Sequence, residues 1–264
     1  MGLQLLEKHF GLMGARVKIN QIVLDWYNRA GIDIRRDRHG EFFDIRIAVN
    51  DTVTYEVIDL DPGRRHLLLL GRREGVKEKF LCGHDERHWF VCAVPGPGVT
   101  NVTRAMEELQ PVEVRWQVQH RVRRKKNRLA RHNEAFVRQG EWFFVPAAQL
   151  PESPKVIFRN EAITRGNGGK PHVCEEVFRF GGEPVMISHR FPLGLTLDQY
   201  EQLLKGDRRA QKLTWRPMRR NAAVFARGRV RHSDHQTVML DGWHRVYMNT
   251  EFLAPGARSV VFLD

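Results

Sequence analysis

The sequence predicts an α+β protein made mainly of antiparallel β hairpins and meanders with a few short helices. Most of the chain consists of short runs in which apolar and polar residues alternate, and glycine, proline, asparagine or aspartate separates these runs. Helical spacing of apolar residues is confined to a few segments. The 264 residues, of which 42% are hydrophobic, suffice to bury a core in one large domain or in two smaller ones.

The first 110 residues are predicted to be rich in β structure. Apolar residues at helical spacing over 3–16 predict an opening helix that ends at Gly14, and a short helix is predicted at 100–110. Between these helices, alternating runs predict strands at 32–38, 41–49, 52–60 and 64–73 and a hairpin over 77–94.

The middle of the chain contains a strongly basic stretch. Strict alternation of apolar and polar residues over 112–122 predicts a half-buried strand. Residues 123–133 lack alternation, which indicates a basic helix or a solvated loop. A hairpin is predicted around Gln139–Gly140, and the proline-containing residues 151–154 indicate a domain junction.

The C-terminal part of the chain is predicted to contain one further helix. Thr196 is a suitable N-cap and Gly206 a suitable stop for a helix over 196–206. The remaining β segments are a strand at 155–160, a hairpin over 172–191 that turns at Gly181–Gly182, and a three-stranded meander over 223–249 with turns at 233–234 and 241–242.

Positive charge is concentrated in two windows, one in each predicted domain. The net charge is +12 and the pI is about 10.1. A β-rich N-terminal α+β domain over 1–150 contains the basic segment 115–131, with eight basic residues and no acid. A C-terminal α+β domain over 155–264 contains the basic segment 205–231, with ten basic residues and one acid. Such clustering is typical of a surface that meets a polyanion.

Several classes of protein are not indicated. No apolar run approaches the roughly 20 residues that span a bilayer. The N-terminus lacks the pattern of a signal peptide, and three cysteines are too few for a disulfide framework. We therefore expect a cytoplasmic protein in a reducing compartment with no membrane partner.

The segment 226–249 combines arginines, histidines and aromatic residues. With two-residue turns at 233–234 and 241–242, His232 faces His235, whereas His244 lies too far along the next strand to join them. The same register predicts one apolar face, which includes the histidines and Met239. On the opposite face it places arginines between aromatic rings, an arrangement suited to phosphates and unpaired bases: Phe225, Arg227, Arg229, Arg231, Gln236, Trp243, Arg245 and Tyr247.

Acid–base chemistry is an open alternative. On a strand, His172, Cys174 and Glu176 share one face, and the candidate catalytic residues are therefore His172, Glu176, His232 and His235. The sequence itself supplies no partner for His172. His120 or His132, near Lys125 and Lys126, would also serve a metal-free ribonuclease, which the sequence does not separate from passive phosphate binding.

No metal site or particular cofactor is predicted. The spacing of Cys82, His84, His88 and Cys92 matches no common zinc motif, so buried cysteines and turn histidines are expected. The acidic turn at Asp85 is equally commonplace. The glycine-rich loop 165–171, which contains Lys170, is not a Walker A motif but is suited to contact a phosphate.

The sequence thus favours a nucleic-acid-binding protein, with RNA or single-stranded DNA preferred to duplex. The alternatives are a nucleic-acid-processing nuclease with a histidine–glutamate or metal-dependent site, and a basic subunit of a larger protein assembly. The predicted nucleic-acid-binding residues are Arg121, Arg124, Lys125, Lys126, Arg128, Lys170, Phe225, Arg227, Arg229, Arg231, Arg245 and Tyr247.

Overall fold

The computed structural model describes residues 3–23, 30–49, 52–164 and 170–253. Antiparallel sheets dominate, and the described residues form four short α-helices, so the predicted α+β class is confirmed. No helix in this part of the chain has the length and apolar character needed to cross a bilayer.

The chain divides into two compact units. Among the described residues, the first comprises 3–134 with 249–253, and the second comprises 135–248. The units meet in sequence between Glu134 and Ala135 because the hairpin that follows pairs with a late strand of the second unit. The division into domains at 151–154 stays a prediction.

The first unit contains a mixed three-stranded sheet and a four-stranded meander. Its elements are α1 (Leu3–Leu12), β1 (Val17–Ile22), β2 (Gly31–Asp37), β3 (Gly40–Ala48), β4 (Thr54–Asp61), β5 (His66–Arg73), β6 (Val76–Asp85), β7 (His88–Val94), α2 (Val102–Glu108) and α3 (Val112–Arg121). The order β1-β3-β2 includes the predicted hairpin of β2 and β3 and adds β1 in parallel to β3. Strands β4 to β7 pair with their neighbours in sequence order.

Strand β5 is buried on both faces, which explains its continuous apolar run. Leu67 and Leu69 pack in a cluster with Phe10 of α1. Leu68 packs on the other side with Ala105 of α2. A strand whose two faces both pack against apolar side chains lacks the apolar–polar alternation that marks a half-buried strand.

The strand predicted at 112–122 is wrong, because this segment forms helix α3. Val114, Val118 and Val122 are buried, and their i, i+4, i+8 spacing defines the buried side of the helix. Val112 and Trp116 alternate with them in the sequence but are 65% and 54% exposed. Alternation and four-residue spacing coincide in this segment, and packing on the core selected the helix.

The second unit contains a six-stranded antiparallel sheet and a three-stranded sheet. Its elements are β8 (Val137–Gln139), β9 (Trp142–Pro146), β10 (Phe158–Ile163), β11 (His172–Phe180), β12 (Glu183–Ser188), β13 (Phe191–Thr196), α4 (Leu197–Gly206), β14 (Arg216–Arg220), β15 (Ala223–Arg231) and β16 (Val238–Met248). The larger sheet has the order β10-β11-β15-β16-β9-β8, and the smaller one has the order β13-β12-β14. Helix α4 begins at a capping box between Thr196 and Gln199, as its sequence predicts.

The hairpin predicted over 172–191 is wrong, although both of its strands exist. Strand β11 pairs with β10 and β15, whereas β12 pairs with β13 and β14. Gly181 and Gly182 have φ of +69° and +83° and carry the chain from one sheet to the other. A Cβ at Gly182 would lie 3.0 Å from backbone atoms of Ala222, so this passage favours glycine.

The meander predicted over 223–249 is also wrong. Strand β16 runs through Asp241 and Gly242 without turning. Ala226 faces His244 while Gly228 faces Leu240, so three residues of β16 bulge opposite one residue of β15. Gly242 has φ +83° and serves the bulge rather than a turn. The strand continues because β9 pairs with its second half.

Candidate functional site: a histidine centre and an arginine–aromatic face

Three histidines of the second unit come together, and we call them the histidine centre. His172 is the first residue of β11, and His232 and His235 lie in the connection between β15 and β16. The ring centroids of His172 and His232 are 4.1 Å apart, those of His232 and His235 are 4.7 Å apart, and those of His172 and His235 are 5.7 Å apart. One nitrogen from each ring lies within 4.8 Å of the other two.

The tertiary pairing of strands assembles this centre. Strand β11 lies beside β15, with Val173 opposite Arg231, so the start of β11 meets the end of β15. No residue near His172 in the sequence was an obvious partner, and the sheet supplies two, His232 and His235. His244 lies apart, and its ring nitrogen Nδ1 is 3.0 Å from the carbonyl oxygen of Gly242.

His172 is buried without a well-formed hydrogen bond, although the backbone of Gln139 lies close to its ring. It is 1% exposed, and neither of its ring nitrogens has a partner of acceptable geometry. Burial, followed by the neighbouring His232 and His235, lowers the pKa of His172 to about 3, so the ring is neutral at pH 7. Burial also lowers the pKa of His232. Leaving a buried polar group unsatisfied costs about 1–3 kcal/mol, so His172 at this position lowers the stability of the fold.

A buried glutamine and an ion pair hold the histidine centre in place. Gln139 is fully buried, and its Nε2 donates to the carbonyl oxygens of Val230 at 3.2 Å and Gln236 at 2.6 Å. These carbonyls lie on either side of the segment that carries His232 and His235. Lys170 donates to Asp234 at 2.7 Å, which joins the start of β11 to the same connection.

Gly140, in the turn between β8 and β9, lies against the ring edges. A Cβ at this position would be 2.9 Å from Nε2 of His235 and 3.3 Å from Nε2 of His172. The absence of a side chain at Gly140 therefore leaves room beside both nitrogens. Sequence reasoning missed Gly140 and Gln139, since their role depends on strands that are distant in sequence.

Glu176 does not belong to the histidine centre, and the prediction that it shares a face with His172 is wrong. The pairing of β11 with β15 shifts register between Cys174 and Glu176, so these two residues point to opposite faces. Glu176 forms an ion pair with Arg227 instead. Gly228 accommodates the bulge, because a Cβ there would lie 2.8 Å from Oε2 of Glu175.

Arginines and aromatic rings alternate on the other face of the six-stranded sheet, which we call the arginine–aromatic face. The guanidinium of Arg227 lies 4.7 Å from the ring centre of Trp243. That of Arg245 lies 5.1 Å from the ring centre of Phe225 and 5.5 Å from that of Tyr247. These separations are typical of cation–π contacts. Met239, predicted on the apolar face, is 58% exposed opposite Arg229 on the arginine side.

Acidic side chains compensate much of the charge on the arginine–aromatic face. Arg227 is paired with Glu176, and Nε of Arg229 donates to Glu175 at 3.1 Å. Arg231 donates to Asn160 at 2.8 Å. This face is therefore less cationic than its sequence indicates.

The first basic segment has a different electrostatic character. Helix α3 ends at Arg121, and a 3₁₀ turn follows at Lys125–Asn127. Within the described residues, its exposed cations have no acidic partner: Arg121, Arg123, Arg124, Lys125 and Lys126. The two flanking arginines are paired, Arg115 with Glu108 and Arg131 with Asp85 and Glu86.

An exposed aromatic pair lies on the same helix. The rings of Trp116 and His120 are 4.1 Å apart, and Trp116 is 54% exposed. Their i, i+4 spacing would have indicated this pair if the segment had been recognised as a helix. Arg128 is half-buried, and its carbonyl accepts a hydrogen bond from Gln110 at 3.3 Å.

Two other sequence motifs do not form sites among the described residues. Cys82 packs in one core cluster and Cys92 in the other, on opposite faces of the meander, so the two thiols cannot bind one ion. Lys170 is held by Asp234. The glycine-rich residues 165–169 lie outside the described residues.

Comparison with known proteins gives no guide to function: no family model, curated protein or solved structure matches this chain. Two features have a chemical use. One is the cationic segment beside the exposed indole of Trp116, and the other is the histidine centre.

Proposed function

We propose that this protein binds nucleic acid, and that the basic segment at the end of α3 makes the main contact with phosphates. The observation that carries the proposal is the row of exposed cations over 121–126, for which the described part of the chain supplies no acidic partner. Like charges at this spacing repel each other, and a polyanion relieves that repulsion and releases counterions. The C-terminal end of a helix also favours cations, but that effect is screened and confined to the last turn.

The exposed indole beside this segment favours unpaired bases over a duplex. Trp116 and His120 form a tilted pair of exposed rings, and His120 directly precedes Arg121, the first of these cations. Stacking of a base on an aromatic side chain contributes about 1–3 kcal/mol and tolerates any sequence. RNA or single-stranded DNA is accordingly the preferred ligand. The arginine–aromatic face is a weaker candidate, because Glu176 and Glu175 already engage two of its arginines, Arg227 and Arg229.

The proposal is tested by fluorescence anisotropy of labelled single-stranded RNA, single-stranded DNA and duplex across a range of salt concentrations. The variant is Arg123→Ala/Arg124→Ala/Lys125→Ala. Each lost phosphate contact reduces the slope of log K against log salt by about 0.7 for single strands, so the slope falls by about 2. Trp116→Ala should weaken single-stranded binding without changing this slope.

A matched control removes the same charge elsewhere in the first unit. Lys77→Ala/Arg87→Ala/Arg104→Ala replaces three exposed cations that have no acidic partner among the described residues. This variant should retain the slope of the original protein. An equal loss in both triple variants would mean that net charge alone drives binding. No binding at low salt would direct attention to an acidic protein partner.

A second candidate function is nucleic-acid processing, which the histidine centre favours because imidazoles serve as acids, bases and metal ligands. Incubation of a labelled oligonucleotide with the protein, with and without divalent ions, tests this candidate. Cleavage that disappears in His235→Ala would establish it over simple binding.

A further inference from the structure

We propose that the histidine centre is a binding site for a divalent transition-metal ion of the zinc class, with His172, His232 and His235 as ligands. Within the described residues, no other group of three histidine, cysteine or acidic side chains is close enough to share an ion. An all-imidazole set suits zinc, copper, nickel or cobalt, whereas calcium and magnesium prefer oxygen ligands.

The spacing of the three rings is within reach of tetrahedral coordination. Zinc binds imidazole nitrogens at about 2.0–2.1 Å, which places two tetrahedral ligand atoms about 3.4 Å apart. The three nitrogens lie within 4.8 Å of one another. Each pair of nitrogens must therefore move closer by about 1.4 Å at most to reach the tetrahedral separation. His232 and His235 can supply it by side-chain rotation, since the connection that carries them is outside the strand ladder, whereas His172 is anchored in β11.

The burial of His172 is the independent observation that points to a ligand. A fully buried imidazole in a purely structural role normally donates or accepts at least one hydrogen bond. The ring nitrogens of His172 form no hydrogen bond of acceptable geometry; the backbone of Gln139 lies nearby, and the nearest rings are those of the two other histidines of the centre. A metal ion would satisfy one of its nitrogens directly.

Gly140 provides the space that an ion and its fourth ligand need. Nε2 of His172 and Nε2 of His235 both lie within 3.3 Å of the position that a Cβ would occupy. Three protein ligands leave one tetrahedral position for water or a substrate atom, as in catalytic rather than structural zinc sites. Gln139 is a positioning residue that fixes the connection carrying two of the ligands.

The experiment uses full-length protein without a histidine tag, stripped with a chelator and titrated with Zn²⁺ or Co²⁺ in the absence of nucleic acid. Calorimetry gives the stoichiometry, and the visible absorption of Co²⁺ reports tetrahedral coordination. We expect one ion per chain. The variant His232→Ala/His235→Ala should weaken binding by more than about 100-fold, because even loss of an outer partner of a ligand costs about 10- to 100-fold. These two residues are chosen because they are less buried than His172.

Gly140→Ala tests the geometry without removing a ligand. Its methyl group would occupy the space beside both Nε2 atoms, and we expect affinity to fall by about 10- to 100-fold, as for other groups that support the ligands. Gly181→Ala is the matched control: its φ of +69° is close to the +58° of Gly140, but nothing lies within 4 Å of its Cβ position. His189→Ala removes an exposed histidine and should retain full affinity.

The proposal is overturned if folded protein takes up neither ion, or if the double histidine variant binds as tightly as the original. It is equally overturned if His189→Ala weakens binding as much as the double variant, since the ion would then lie elsewhere. Circular dichroism of each variant shows that the fold is retained. Because these titrations contain no nucleic acid, their outcome is independent of the anisotropy experiments on the first basic segment.

Discussion

Replacing Val114 by alanine tests the most consequential difference between the sequence pattern and the structure. Val114 is fully buried in α3, so the substitution removes two buried methyl groups. At about 0.8 kcal/mol per group, the loss of burial costs about 1.6 kcal/mol. The cavity adds roughly 1 kcal/mol, and the higher helix propensity of alanine returns about 0.5 kcal/mol. The expected loss of unfolding free energy is about 2 kcal/mol.

Val112→Ala is the matched control. The same two methyl groups are removed, but Val112 is 65% exposed at the start of the helix. Little burial is lost there, and alanine is the better helix former, so stability should be unchanged or raised by up to about 0.5 kcal/mol. Thermal and urea unfolding followed by circular dichroism compare the two variants. At about 2–4 °C per kcal/mol for a chain of this size, Val114→Ala should lower the Tm by roughly 4–8 °C.

A strand over 112–122 would give a different result. Val112 and Val114 would then face the same side, and the two substitutions would have similar costs. Equal destabilisation by both variants would refute the helix and restore the half-buried strand.

Two further predictions concern thiols and acid stability. Cys82 and Cys174 should resist a thiol reagent until the protein unfolds, because burial raises the pKa of both thiols, that of Cys174 to about 12. The half-buried Cys92 should react first. Equal reaction rates of the three thiols would contradict the packing of the strands. The guanidinium of Arg16 donates to both carboxylate oxygens of Asp37 at 2.8 Å and holds its pKa well below the usual range. This carboxylate therefore stabilises the fold above its unfolded pKa of about 3.9, and the stabilisation disappears as the pH falls through the lower folded pKa. Asp37→Asn should accordingly be less stable than the original protein at pH 7, with a difference that shrinks below about pH 4; a constant difference would exclude the ion pair as its cause.

Local signals were sufficient where an element depends on its own residues. Helix α4 follows from the cap at Thr196 and the stop at Gly206, and the hairpin of β2 and β3 follows from alternating runs around a turn. In each case the local geometry and the tertiary environment favour the same conformation.

Local signals failed where two conformations fit the same residues. Val112, Val114, Val118 and Val122 fit the two-residue alternation over 112–122, but Val114, Val118 and Val122 also lie at every fourth position. Only packing distinguishes the two patterns. The dipeptide Asp241–Gly242 suits a hairpin turn or a bulge, and the neighbouring strand β9 decided for the bulge. A bulge between Cys174 and Glu176 likewise moved Glu176 to the arginine side of the sheet.

The sequence by itself determined the α+β class, the two clusters of positive charge and the closeness of His232 to His235, because these depend on composition and on neighbours in the chain. Only the tertiary structure decided which cations are free and which histidines meet. Glu175 and Glu176 reach Arg229 and Arg227 across a strand pair that joins residues more than 50 positions apart. The same pair brings His172 to His232, and no local pattern can encode a contact that exists only once the two strands have paired.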